Sequence, residues 1–187
     1  EQEERARIES TFGAAVARNQ EDGSTLRRVT ITKIEGFLQR YPDAGYAADM
    51  KFRLADLYYD ESEIEFMARS EAYDAVEDGA PDLEPKKDYR KSIALYKDIL
   101  ANYPAFEYRP DAYYMLGWCY GSANALQYDE VAARDAYVAI VTAHPQSVFA
   151  NDANMRLGEY YFELLAARAD PLANVRQAIT YYNAVLA

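Results

Sequence analysis

The apolar positions along this chain recur at intervals of three and four, which places them on one face of a helix. Ile93, Tyr96, Ile99 and Leu100 form one such stripe. Ala133, Tyr137, Ile140 and Val141 form a second, and Thr30, Ile34, Phe37 and Leu38 a third. The three stripes run into Pro104, Pro145 and Pro42. Proline cannot continue a helix and pushes the residue before it out of helical geometry, so each stripe must stop there. Ala178, Tyr182, Val185 and Leu186 repeat the stripe at the end of the chain. No segment alternates apolar and polar residues at period two, so no strand is predicted. The pattern predicts helices over about 3–20, 24–40, 44–76, 86–102, 109–124, 129–143, 147–168 and 171–187. A break is expected at Glu21-Asp22-Gly23-Ser24, with Ser24 or Thr25 as the next N-cap. Asp129 and Asp170-Pro171 read as helix starts.

A second pattern follows each proline. Leu54, Leu116 and Leu157 each lie 12 residues after one. Tyr46, Tyr108 and Phe149 follow the proline by four, and Tyr58, Tyr120 and Tyr161 follow the leucine by four. Three ungapped copies of a pattern this long identify an internal repeat.

Those copies resemble the tetratricopeptide-repeat (TPR) family. Its Leu-Gly-x-x-Tyr run is matched by Leu54-Ala55-x-x-Tyr58, Leu116-Gly117-x-x-Tyr120 and Leu157-Gly158-x-x-Tyr161. Its small–aromatic–apolar second helix is matched by Ser92/Tyr96/Ile99 with Pro104, Ala133/Tyr137/Ile140 with Pro145, and Ala178/Tyr182/Val185. The resemblance spans roughly residues 25–187. It implies an all-α fold, a TPR-like superhelical array of antiparallel helix pairs, in which small residues let helices approach and aromatics fill the gaps. The expected organisation is a single solenoid over 1–187, with leading helices in 1–42 and repeats over about 43–104, 105–145 and 146–187, the last truncated. Glu1 in place of Met, and a C-terminus inside a helical stripe, are read as the marks of a trimmed chain. A homodimer through the truncated last repeat, where Tyr181, Tyr182 and Leu186 are expected to be partly exposed, is a further expectation.

The departures from the usual repeat are informative. The proline-to-proline distances here, 62 and 41, exceed the family's usual repeat length. Part of the excess is a Tyr-Pro-x-x-x-Tyr/Phe-Ala link, similar to the subtype in bacterial outer-membrane assembly lipoproteins and the Tol–Pal-associated repeat protein. That resemblance implies a periplasmic location at the outer membrane. The link is weaker at Tyr103–Tyr120, where Arg109-Pro110 replaces the small residue. The rest is an acidic insertion at about 61–85, with nine acids and one base, Arg69. It reads either as a solvated helix and loop or as a docking surface for a basic partner.

Composition narrows the function. The 187 residues carry 31 Asp+Glu against 20 Lys+Arg, a formal charge of −11. That surplus opposes a nucleic-acid phosphate binder. No apolar stretch reaches the roughly 18 residues of a membrane span. One Cys and one His leave no material for a cysteine framework or a His-rich metal site. Cys119 reads as a buried inert thiol, and His144 as a packing or capping variant of the tyrosine in the other copies. There is no phosphate-binding glycine loop, zinc motif or calcium loop. No cofactor and no catalytic residue are expected.

By the resemblance, groove positions lie five and two before the signature leucine, and two, five and six after it. On this chain they are Asp49, Phe52, Asp56, Tyr59 and Asp60, then Asp111, Tyr114, Trp118, Gly121 and Ser122, then Asp152, Met155, Glu159, Phe162 and Glu163. Seven are acidic, six are large and apolar or aromatic, and none is basic. Such a face repels a carboxylate ligand and suits a partner with Lys or Arg and apolar anchors. The competing reading is that these aromatics, Trp118 included, pack against neighbouring helices. The expected function is a non-enzymatic protein–protein scaffold of a bacterial cell-envelope complex. The alternative is the non-catalytic α-superhelical part of a larger cell-wall enzyme.

Overall fold

A computed structural model describes the backbone at residues 2–75, 84–164 and 171–186, with side chains from residue 21 onwards in the first stretch. Among the described residues seven helices follow one another: α1 (Gln2–Arg40), α2 (Ala47–Asp74), α3 (Arg90–Asn102), α4 (Arg109–Gly121), α5 (Glu130–Ala143), α6 (Ala150–Glu163) and α7 (Pro171–Leu186). The all-α expectation holds. The chain divides into two compact units, residues 1–50 and 51–187.

In the first unit, α1 is continuous across Glu21–Ser24, which corrects the expected break and the N-cap at Ser24 or Thr25. A lone Gly in a helix costs only about 1 kcal/mol, and no proline stands in the segment to remove a hydrogen bond. Gly23 has open space around it and no positive φ. Ile31 and Ile34 are buried, and the Phe37 ring stacks on Tyr46 at 5.2 Å.

The turn after each proline-terminated helix closes with the same hydrogen bonds. The Tyr41 N–H donates to the Phe37 carbonyl, Ala44 to Tyr41, and Met50 to Tyr46. The Tyr103, Phe106 and Ala112 amides donate to Ile99, Tyr103 and Tyr108. The His144, Ser147 and Ala153 amides donate to Ile140, His144 and Phe149. The sequence repeat is therefore a repeat of backbone geometry, and His144 occupies the capping place of the other copies' tyrosine.

Within the second unit the helices pair in sequence order. Lys51 meets Asp98 at 2.6 Å, Asp56 meets Tyr96 at 2.7 Å, and Tyr59 stacks on Tyr89 at 5.2 Å. Numbers rise along α2 as they fall along α3, so the two run antiparallel. Gly117 faces Tyr137 and Gly121 faces Ala133 across α4 and α5. Gly158 faces Tyr182, and the Asn174 amide reaches the Leu164 carbonyl, across α6 and α7. Those two pairs are antiparallel as well.

The signature glycines explain how close the pairs come. A Cβ on Gly117 would lie 2.8 Å from the Tyr137 ring, and one on Gly158 would lie 2.4 Å from the Tyr182 ring. Real carbon atoms do not approach so closely in a packed interior. Tyr137 is buried in a cluster with Ala133, Ile140, Ala153 and Leu157. A second cluster joins Ala55, Tyr89, Ile93, Tyr96, Ala112, Leu116 and Cys119. Full burial of each aliphatic side chain in such a cluster contributes about 1.5–3 kcal/mol.

Several helix ends differ from expectation. Lys86–Tyr89 is not helical: the Lys87 N–H donates to the Asn124 carbonyl at 3.0 Å and its carbonyl accepts from Leu126 at 2.9 Å. This makes an isolated parallel bridge between Lys87 and Ala125, which gives both segments a backbone partner outside any helix. α4 stops at Gly121, three residues early. α5 starts as predicted, with the Asp129 carboxylate accepting from the Val131 and Ala132 amides. α2 carries the first half of the acidic insertion as helix to Asp74. Val76, Glu77, Asp78, Gly79, Ala80, Pro81 and Asp82 of the insertion, and Asp170, lie outside the described residues.

The glycine fit is testable by contrast. Gly117→Ala is expected to destabilise the chain by about 1–2 kcal/mol, because overpacking against a buried ring outweighs the helix propensity gained. Gly36→Ala, in open space on α1, is expected to stabilise it by about 0.5–1 kcal/mol. Urea unfolding followed by helical circular dichroism reads both. Equal effects of the two would remove packing as the reason for the glycine.

Candidate functional site

Three first helices of the second unit lie side by side. Phe52 meets Tyr108 at 6.2 Å, and the Trp118 indole N–H donates to the Tyr59 hydroxyl at 2.9 Å. The Tyr114 hydroxyl donates to Asp152 at 2.7 Å, and the Arg156 guanidinium lies 5.2 Å over the Trp118 ring. Numbers rise together along α2, α4 and α6, so these helices run parallel, one helix pair apart. That stacking brings the sequence-chosen positions of successive repeats into contact.

The positions divide by what they do. Phe52 and Tyr59 pack on the core, Phe52 also against Phe106 at 5.8 Å. Asp56 accepts from the Tyr96 hydroxyl. Tyr114 stacks on Phe149 at 4.6 Å and lies beside Trp118. These aromatics therefore serve packing between helices, in line with the competing reading of the sequence, while Trp118 keeps 37% of its surface exposed. Met155 and Phe162 on α6 are exposed, Phe162 at 60%. Asp60, Glu159 and Glu163 are exposed, and Asp111 is half-buried. Asp49 is exposed and belongs to the first unit.

Arg156 is not among the sequence-chosen positions, since it stands one residue before the signature Leu157. It ties Asp152 at 3.6 Å and Glu159 at 3.4 Å while covering Trp118. The face is thus less uniformly acidic than its groove positions imply. The spacing of Asp152, Arg156 and Glu159, four and three apart, is the signal that could have found it.

Trp118, Gly121, Ser122, Glu159 and Glu163 line one cavity of about 360 Å³. Tyr128, Glu130, Ala133, Arg134, Tyr137 and Tyr160 complete most of its wall. Arg134 pairs with Asp135 and lies 5.7 Å over the Tyr160 ring. Glu130 accepts from the Tyr128 hydroxyl, and that bond is the main reason the Tyr128 pKa is pushed up to about 12.

In the acidic insertion, Glu63 turns inward. It accepts from Lys87 at 2.9 Å and from the Tyr89 hydroxyl. Burial is the first reason, and this bond the second, that the Tyr89 pKa stands far above an ordinary tyrosine's. Arg69 donates to the Lys86 carbonyl at 2.9 Å. Among the described residues no group of three or more His, Cys, Asp or Glu is placed to hold a metal ion. No helix among them is long and apolar enough to cross a membrane.

Two side chains offer chemical tests. Burial raises the Asp56 pKa, with the Tyr96 hydroxyl and Arg53 opposing and Asp60 and Asp111 adding to the rise. Its folded value therefore exceeds its unfolded one, and the folded state retains the proton at pH values where the unfolded chain has lost it. Its contribution to stability rises as pH falls toward the folded pKa and declines as pH rises through it. Asp56→Asn mimics the protonated form and keeps an acceptor for Tyr96. The variant is expected to exceed the native chain in urea midpoint at pH 7, with the gap closing as pH falls into the ordinary carboxylate range; a constant gap refutes a raised pKa. Cys119 is fully buried, and burial, with the charge of Glu63 behind it, pushes its pKa up to about 12. It is expected to resist Ellman's reagent in the folded chain and to react fully in urea.

Comparisons of the chain with protein-family models, with curated proteins and with solved structures find no match. The resemblance to TPR sequences rests on the chain's own three copies.

Proposed function

We propose that this chain is a non-enzymatic protein–protein interaction scaffold, a TPR-like helical array that holds a basic and apolar segment of a partner protein. The observation that carries this reading is the parallel stacking of α2, α4 and α6. It sets acids from three repeats (Asp60, Asp111, Glu159 and Glu163) on helices whose neighbouring positions hold Trp118, Met155 and Phe162. A segment with Lys or Arg and apolar anchors meets both needs of such a face, since the cation finds carboxylates and the anchors cover exposed apolar surface. The Tyr-Pro-x-x-x-Tyr/Phe-Ala turns support placing the scaffold in a bacterial cell-envelope complex, on the periplasmic side of the outer membrane. Stability of the array comes from stacking neighbours, because no helix pair buries its faces alone.

Met155 and Phe162 give the cleanest test, because Tyr114, Tyr59 and Phe52 also hold the fold. Phe162→Ala with Met155→Ala is expected to weaken binding of a peptide library rich in Lys, Arg and Leu by about tenfold or more. The circular dichroism and urea midpoint should stay unchanged. Raising salt from about 0.05 to 0.5 M should weaken binding further. Fluorescence polarisation with labelled peptides reads each effect, and affinities indifferent to both changes exclude this face as the interface.

A further inference from the structure

Helix α7 carries two apolar faces, and α6 covers one of them. Ala178 is buried, Tyr182 packs on Gly158, and Tyr181 stacks on Tyr161 at 5.6 Å. The second face is Leu172, Val175, Ile179, Tyr182 and Leu186, spaced three, four, three and four apart. That spacing makes the straight seam with which one helix packs along another. Leu172 is 69% exposed, Ile179 52% and Leu186 84%, while Val175 and Tyr182 are half-buried.

The same stripe is covered in the other two helix pairs. Counted from the signature tyrosine, Ile179, Tyr182 and Leu186 correspond to Ile93, Tyr96 and Leu100 of α3, and to Arg134, Tyr137 and Val141 of α5. The α3 residues share a cluster with Ala112, Leu116 and Cys119 of α4. On α5, Arg134 lies over Tyr160, and Tyr137 and Val141 pack with Ala153 and Leu157, all of α6. The exposed stripe of α7 is thus a helix-packing surface of a kind the chain uses twice.

Charge and symmetry select what covers it. The chain carries −11, so two copies repel wherever their acids meet. Of the seven described helices α7 alone has no Asp or Glu, and its single charge is Arg176. Two copies can therefore meet helix to helix here with no carboxylate on either. A basic segment of the kind proposed above finds no acid on this helix to pair with. The stripe is also symmetric about Ile179, since Leu172 and Leu186 each lie seven residues from it. A two-fold axis at Ile179 sets Leu172 against the second copy's Leu186 at both ends, and Val175 beside the second copy's Tyr182. Such an isologous contact closes as a dimer.

We infer that α7 is a homodimer interface, in which two copies pair their Leu172–Leu186 stripes antiparallel about a two-fold axis at Ile179. The seam is about 21 Å long. One helix from each copy is a small interface beside the ~1,200–2,000 Å² of stable complexes. The dimer is accordingly expected to dissociate with a constant of roughly 10–300 μM. It uses neither Met155 nor Phe162 and stands apart from the interaction face proposed above.

Sedimentation equilibrium of the chain from about 5 to 500 μM reads the association. The average mass should rise from monomer toward dimer, and about 0.5 M salt should leave the dimer intact, because salt screens the repulsion between copies. Ile179→Glu sets two carboxylates at the axis and should weaken the dimer tenfold or more, with circular dichroism and urea midpoint unchanged. Cysteine variants treated with a bismaleimide spanning about 10 Å, the spacing of packed helices, test the register. The buried Cys119 stays out of that reaction. Ile179→Cys should link to itself. Leu172→Cys, whose two copies lie about 21 Å apart, should not, yet it should link to Leu186→Cys in a mixture. A chain that stays monomeric to about 500 μM overturns the inference and leaves the stripe to a helix of another protein. A dimer indifferent to Ile179→Glu overturns it by placing the contact elsewhere, and self-linking of Leu172→Cys overturns it by making the helices parallel.

Discussion

The architecture depends on one steric constraint: an aromatic ring on each second helix needs a slot in the first helix of its pair. Gly117 and Gly158 supply that slot for Tyr137 and Tyr182. With the ring seated, the helices approach closely enough to bury Leu116, Ile140, Ala153 and Leu157. That leaves α2, α4 and α6 free to lie beside one another through longer side chains. Ala55 stands where the first copy would have glycine, and it shares a core cluster with Tyr96.

A tyrosine seated in a core still carries a hydroxyl, and a buried hydroxyl needs a partner. In this chain the partner is repeatedly a carboxylate: Tyr96 with Asp56, Tyr114 with Asp152, Tyr89 with Glu63. The abundance of tyrosine and the excess of acid are thus coupled. Part of what reads as acidic surface in the sequence is consumed within the structure, and each such bond also helps hold its tyrosine well above the usual pKa. Burial is the larger cause in all three.

The helices, their proline-terminated ends and the Asp129 cap were legible because each is set by neighbours in sequence. The repeated turns at Tyr41, Tyr103 and His144 were legible for the same reason. The partition of the groove residues was not. Tyr114 and Asp152 are 38 residues apart, and nothing local says that an acid in one repeat will accept from a phenol in another. Arg156 lies off the groove positions chosen from the sequence, and only its helix spacing to Asp152 and Glu159 marks it there. The continuity of α1 shows the limit of a turn-like composition: Gly23 and Ser24 weaken a helix without ending it.

The small bridge between Lys87 and Ala125 has a meaning beyond its two hydrogen bonds. Together with Arg69, which grips the Lys86 carbonyl, and Lys87, which reaches Glu63, it clamps the chain where it returns to the array after residue 83. The register of α3 is thereby set by contacts made before its first turn, at Lys86 and Lys87, and not by the covalent link to α2.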